Sequence, residues 1–296
     1  MEKKPTKYNR TNLVIRLHDG RRLGYADYGD PAGKPIFYFS GGIGSRLQAA
    51  PAETQPLIPG VRLIGVDRPG LGLSDFQPGR RIVDWPDDVR QLADALSLKQ
   101  FAVLGVSAGG PYALSCACKI PDRLTGCGLV AGALPPERMG GLRWMYELYH
   151  WFPWVMRFVY WWTTARYVGK DERQWEALVT RPVRISHAYP PSDRALWSDP
   201  AFRRRSMMER LEAFRQGTRG PVYEAGLWGQ PWGFRVEEIS FRRIFVWHGE
   251  LDRIVPAPAV RAMLEKLPSS EAKFYPRDGH SVGSYHWEEI LRRMAE

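Results

Sequence analysis

Largely apolar runs of four to seven residues punctuate the first part of the chain, at 36–39, 61–66, 101–106 and 124–130. Runs of this length without alternation read as strands buried on both faces. Between them lie stretches of helical period. In 84–98, Val89, Leu92, Ala93 and Leu96 fall on one face, and 111–119 is rich in Ala and Leu. Near the start, 13–17 alternates apolar with polar, His18-Asp19-Gly20 turns, and 22–28 follows, which predicts a β-hairpin. The alternation returns late in the chain: a strand at 244–247, a helix at 256–267, a strand at 272–275 and a helix at 282–294. Strands alternating with helices predict an α/β fold, a parallel sheet covered on both faces.

Residues 134–235 break this pattern. They carry no strand–helix alternation, and Trp144, Trp151, Trp154, Trp161 and Trp162 crowd into one stretch. The chain therefore divides into a first core segment at 1–133, a helical insertion at 134–235 and a second core segment at 236–296. The insertion has two readings. Residues 151–163 are apolar enough to touch lipid, but Pro153 and Arg157 interrupt them and the run is too short to span a bilayer. The favoured reading is a cap whose five tryptophans pack on each other and line an apolar pocket, with membrane-surface contact second. Arg203-Arg204-Arg205 reads as a solvated helix face.

The 296 residues fit one large domain carrying an insertion, and the net charge of +10 makes the surface basic. Net charge bears on solubility and steering, and no nucleic-acid motif accompanies it. Cys116, Cys118 and Cys127 are too few and oddly numbered for a disulfide framework, and no metal-ligand spacing or cofactor motif is present. The N-terminal MEKKPTKYNR has no apolar region behind its charges, so it reads as a loose tail, not a signal peptide. The Asn9-Arg10-Thr11 sequon is then a chance match. The expectation is a cytoplasmic protein without a transmembrane segment, acting on a small molecule.

The chemistry centres on Gly105-Val106-Ser107-Ala108-Gly109, a G-x-S-x-G pattern between a predicted strand and a predicted helix. Glycines two residues either side of Ser107 permit a sharp turn that holds the hydroxyl out at the sheet edge. The helix N-terminus behind it directs N–H groups at forming negative charge. A serine hydroxyl needs a base to take its proton and a carboxylate to orient that base. Asp252, in HGELDRIVP, and His280, in DGH, each follow a late strand, and ligands bind at that edge of a parallel sheet. His248 is the other candidate base, and Glu250 and Asp278 the other candidate acids. His18, His150, His187 and His286 read as surface or packing residues. Asp67 reads as the holder of the glycine-rich turn that follows it.

With GVSAGG, DRPGLGLSD, HGELDRIVP and DGH in this order, the sequence resembles the α/β-hydrolase superfamily over about residues 12–133 and 236–295. The resemblance implies a mostly parallel eight-stranded sheet flanked by helices, with a helical cap inserted after the sixth strand. It implies Ser107 as nucleophile, His280 as base, Asp252 as acid, and the backbone N–H groups of Ala108 and Gly42 as the oxyanion hole. Members often carry His-Gly after the third strand, where this chain has Ser40-Gly41. The expected function is a serine carboxylesterase on small, largely apolar esters, with lactones, thioesters and amides as variants. The alternatives are carbon–carbon bond hydrolysis, perhydrolysis or hydroxynitrile lyase chemistry with the same triad. A ligand-binding receptor with slow turnover is the reading from another class.

Overall fold

In the computed structural model, which describes residues 10–52, 55–138, 143–180 and 189–296, the apolar runs stand side by side in one eight-stranded sheet. The strands are β1 (Arg10–Arg16), β2 (Arg22–Gly29), β3 (Lys34–Phe39), β4 (Val61–Val66), β5 (Phe101–Val106), β6 (Leu124–Val130), β7 (Ile244–Gly249) and β8 (Glu271–Tyr275). Their order is β1-β2-β4-β3-β5-β6-β7-β8. The first hairpin and the β2–β4 pair are antiparallel, and every pair from β4 to β8 is parallel. His187 and the residues up to Asn9 lie outside the described residues.

Alternate side chains of each strand serve opposite faces. Phe37 and Phe39 enter one apolar layer with α1 (Trp85–Ala95), α2 (Gly110–Lys119) and α9 (Ala257–Leu264). Ile36 and Tyr38 enter the other with α11 (Trp287–Ala295). Helix α1 stops short of its expected end because Ser97 takes a left-handed φ of 57°. The expected last helix is broken into α10 (Val282–Tyr285) and α11. The cause is His286, whose ring stacks on Tyr275 at 3.6 Å and bonds the Asp278 carboxylate at 2.7 Å.

Among the described residues, the chain between β6 and β7 is helical: α3 (Arg143–Trp151), α4 (Pro153–Thr163), α5 (Glu172–Thr180), α6 (Pro191–Ser198), α7 (Pro200–Ala213) and α8 (Arg219–Trp228). Two buried ion-pair groups fasten it to the core. Arg46 reaches Asp67 at 2.8 Å and Glu212 of α7 at 2.7 Å. Glu224 of α8 meets Arg68 Nε at 2.7 Å, Arg80, and the Tyr112 hydroxyl at 2.9 Å. Asp67 also accepts the N–H groups of Arg46 and Leu73, so it does hold the turn that follows β4. The arginine run is not a uniformly solvated face. Arg203 is buried and donates to the carbonyls of Val179 and Trp197, while Arg204 pairs with Glu172 and Glu176. No described helix is long and apolar enough to cross a membrane.

Candidate active site

The turn between β5 and α2 exists because of its glycines. A Cβ on Gly105 would lie 2.4 Å from the Gly109 carbonyl oxygen, and one on Gly109 would lie 2.2 Å from that of Phe39. With that space cleared, Ser107 sits at φ 48°, a conformation that costs a non-glycine residue on the order of 1–2 kcal/mol. Its carbonyl is satisfied by the Ala133 N–H at 2.9 Å, and its hydroxyl stands at the C-terminal edge of the sheet.

His280, beyond β8, brings Nε2 to 2.9 Å from the Ser107 hydroxyl and Nδ1 to 2.8 Å from Asp252 Oδ2. Because Asp252 can only accept, Nδ1 carries the ring proton and Nε2 is left to receive one from the serine. Burial pushes the Asp252 carboxyl up. The His280 hydrogen bond, the His280 charge and the Val255 N–H outweigh it and hold the group below its ordinary range. Asp252 Oδ1 accepts from Ile254 and Val255 at 2.8 and 2.9 Å, so the carboxylate is fixed at both oxygens. Among the described residues none of the other candidates bonds the Ser107 hydroxyl, although His248 Nε2 lies 3.5 Å from Asp252 Oδ2. His248 is fully buried, bonds the Val255 carbonyl at 2.8 Å, and is held toward the neutral form chiefly by burial. Glu250 pairs with Arg261, and Asp278 with His286.

Across the cleft, residues 40–42 are held by two side chains that sequence reasoning missed. Buried Arg68 donates to the carbonyls of Ser40 and Gly42 at 2.6 and 2.7 Å. Gln48 accepts the Gly41 N–H at 2.7 Å. The Gly42 N–H has no hydrogen-bond partner among the described residues, and the residue's φ is 48°. Ala108 begins the helical turn behind Ser107, where the first N–H groups lack intrahelical acceptors.

A cavity of about 930 Å³ opens on Ser107 and His280 and is walled by both core and insertion. The expectation that Trp144, Trp151, Trp154, Trp161 and Trp162 line it is not met. They point outward from α3 and α4, each 48–71% exposed. Helix α4 attaches through Tyr160, which packs on Phe214, and α3 through Tyr146, which packs on Trp228, so the tryptophans are turned away. The aromatic wall comes from Tyr146, Trp197, Phe202, Trp228 and Trp287. A polar corner also faces the cavity. Glu209 of α7 lies 3.2 Å from Arg205 Nε and 3.4 Å from Gln48, and burial raises its carboxyl to about 7.

The family model for the alpha/beta hydrolase fold matches residues 34–286. The chain belongs to that family. Among curated proteins it resembles a putative carbamate hydrolase, RutD, of Caulobacter vibrioides, with 30% identity over 128 residues. That match covers 42% of this chain and 47% of the relative, so the chain spans about half the length of the curated relatives it matches. Among solved structures it is similar to a thermophilic esterase from Thermogutta terrifontis, with TM-score 0.64, 21% identity and 95% of each chain covered. It is also similar to an alpha/beta hydrolase fold protein from Chitinophaga pinensis, with TM-score 0.62 and 20% identity over 97% of this chain and 96% of that one. At these identities the two structures speak to the fold.

One further contact ties the hydrolase core to its insertion. Asp193 of α6 is buried, and its carboxylate accepts the backbone N–H groups of His280 at 3.0 Å and Ser281 at 2.8 Å. Ser192 accepts from Gly279 at 3.2 Å, and a Cβ on Gly279 would collide with Asp193 at 2.2 Å. The loop that carries His280 in this α/β-hydrolase is thus clamped by the insertion. Nothing in the local sequence of Asp193 marks it, because the contact spans 87 residues.

Proposed function

We propose that this α/β-hydrolase is a serine carboxylesterase. The observation that carries the reading is the continuous relay Asp252–His280–Ser107, with both hydrogen bonds formed and the serine hydroxyl open to the cavity. In the forward step the Ser107 oxygen attacks the ester carbonyl while His280 Nε2 takes its proton. The carbonyl oxygen gains negative charge and is met by the N–H groups of Ala108 and Gly42. The C–O bond to the alcohol breaks, and His280 returns the proton to the departing oxygen. A water then repeats the sequence on the acyl-serine, giving its proton to His280 and releasing the acid. Asp252 stays ionised and stabilises the imidazolium. Each oxyanion donor is worth roughly 3–4 kcal/mol in comparable sites.

The insertion acts as a cap through its inner face. Its tyrosine and tryptophans favour apolar or aromatic acyl and alcohol groups, and the corner at Glu209 and Gln48 accepts a polar substituent. A carbamate offers its carbonyl to the same groups, so p-nitrophenyl esters of rising chain length and a matched carbamate belong in one assay. Ser107→Ala is expected to lower ester hydrolysis by about three or more powers of ten in folded protein. Activity near wild type in that variant would end the assignment.

A further inference from the structure

The outward tryptophans are the feature of the molecule that the proposed chemistry does not use. Trp154, Phe158, Trp161 and Trp162 recur at helical spacing on α4, and the rings of Phe158, Trp161 and Trp162 lie 6.1–6.5 Å apart as one cluster. Trp144 and Trp151 on α3 and Phe152 between the helices are also about half exposed or more. Aromatic side chains carry roughly 150–250 Å² each. Seven of them at this exposure leave on the order of 700 Å² of aromatic surface over the two helices, where exposed apolar side chains on monomers are ordinarily scattered singly.

The charges around this surface say what fits it. Between residues 143 and 170 the sequence has four cations, Arg143, Arg157, Arg166 and Lys170, against one anion, Glu147. Among the described residues Arg157, Arg166 and Lys170 meet no carboxylate. Arg166 is stacked on Trp162 with its guanidinium carbon 4.3 Å from the ring centroid, which keeps the charge at the patch edge. Indole rings with one apolar and one hydrogen-bonding side, bordered by unpaired cations, match the boundary between acyl chains and anionic headgroups. A second copy of the chain is a poorer fit, since a twofold contact through this face would set the same cations against each other.

We propose that the α3–α4 face docks this protein on an anionic lipid surface, with the tryptophans at headgroup depth and the flanking arginines on the phosphates. The inference is independent of the esterase reading, because it is measured without turnover. The full-length protein is mixed with vesicles of phosphatidylglycerol and phosphatidylcholine at equal mole fractions, or of phosphatidylcholine alone, at low ionic strength. Co-pelleting is expected on the anionic vesicles and roughly tenfold or more weaker on the neutral ones. Lipids brominated on their acyl chains should quench the tryptophan fluorescence. The combined variant Trp154→Ser, Phe158→Ser and Trp161→Ser should lose roughly tenfold or more of the binding while hydrolysing a soluble ester as before. Arg157→Gln, which leaves the aromatic surface intact, should weaken binding about fivefold. Equal pelleting with both vesicles, no pelleting, or no quenching would overturn the proposal. So would a wild-type dimer that the triple variant reduces to monomer without any vesicle binding, which would give the face to a second copy.

Discussion

The sheet core and the α3–α4 pair of the insertion treat the same residue in opposite ways, although Trp175 and Trp232 elsewhere in the insertion are buried. Trp85, Trp247 and Trp287 of the core are at most 5% exposed, while Trp151 and Trp154 of the insertion are 69% and 71% exposed. In the core every helix lies on a sheet face, so an apolar side chain has a layer to enter. In the insertion α4 is attached by one side through Tyr160, and the tryptophans on its other side are exposed. Aromatic content there does not say which rings face the pocket: Trp197 and Trp228 line it, and the tryptophans of α3 and α4 are exposed. Besides the aromatic wall of Tyr146, Trp197, Phe202 and Trp228, the insertion supplies a few polar groups to the site: Asp193 on the His280 loop, Glu209 at the cavity corner, and Glu224 among the arginines behind residues 40–42.

The comparison breaks first at Glu224. Glu224→Gln leaves Arg68 and Arg80 buried without a counter-charge, and a loss of about 3–5 kcal/mol in unfolding free energy is expected. The sign with pH follows from the carboxyl itself. Burial raises it, but Arg68 and Arg80 outweigh burial and bring it from 4.5 down to about 2. Its contribution is therefore complete above about pH 4.5 and is lost as pH falls toward 2. Denaturant melts of wild type and variant should differ fully at pH 7 and less at pH 3. Equal differences at both would mean that the carboxylate charge is not what joins the insertion to the core.

Asp193 comes next. Asp193→Ala frees the N–H groups of His280 and Ser281, and a misplaced imidazole is expected to lower kcat by roughly a hundredfold with KM little changed. Asp193→Asn keeps one acceptor and should recover part of the loss. A rise in KM alone would assign Asp193 to substrate contact. The smallest effect separates the two faces of the insertion. Trp197→Ala should change the preference between bulky and short esters by roughly tenfold. Trp154→Ala should leave that ratio as it is. If Trp154→Ala shifts it and Trp197→Ala does not, the assignment of inner and outer faces is reversed.

The sheet was legible in the sequence because its strands are buried apolar runs bounded by turn residues, and 61–66, 101–106 and 124–130 match β4, β5 and β6 residue for residue. Ser107, Asp252 and His280 were legible because each follows a strand at one edge, so topology alone brings them near one another. The supporting residues were not. Gln48, Arg68, Asp193 and Glu209 act through contacts with residues distant in sequence or hidden in a loop, and no period or motif marks a side chain whose partner comes from another element. The tryptophans failed for a related reason. Helical spacing defines a stripe, but which way the stripe faces is decided by the other side of the helix, here by Tyr160 on Phe214.

The most direct measurement of the central claim is the site of covalent capture. Wild-type protein is treated with a fluorophosphonate, digested, and mapped by mass spectrometry. The expected result is one adduct, on Ser107, with labelling that falls steeply in His280→Ala although the serine is still present. An adduct on another residue, or labelling of Ser107 at an unchanged rate without His280, would contradict the relay on which the proposed chemistry rests.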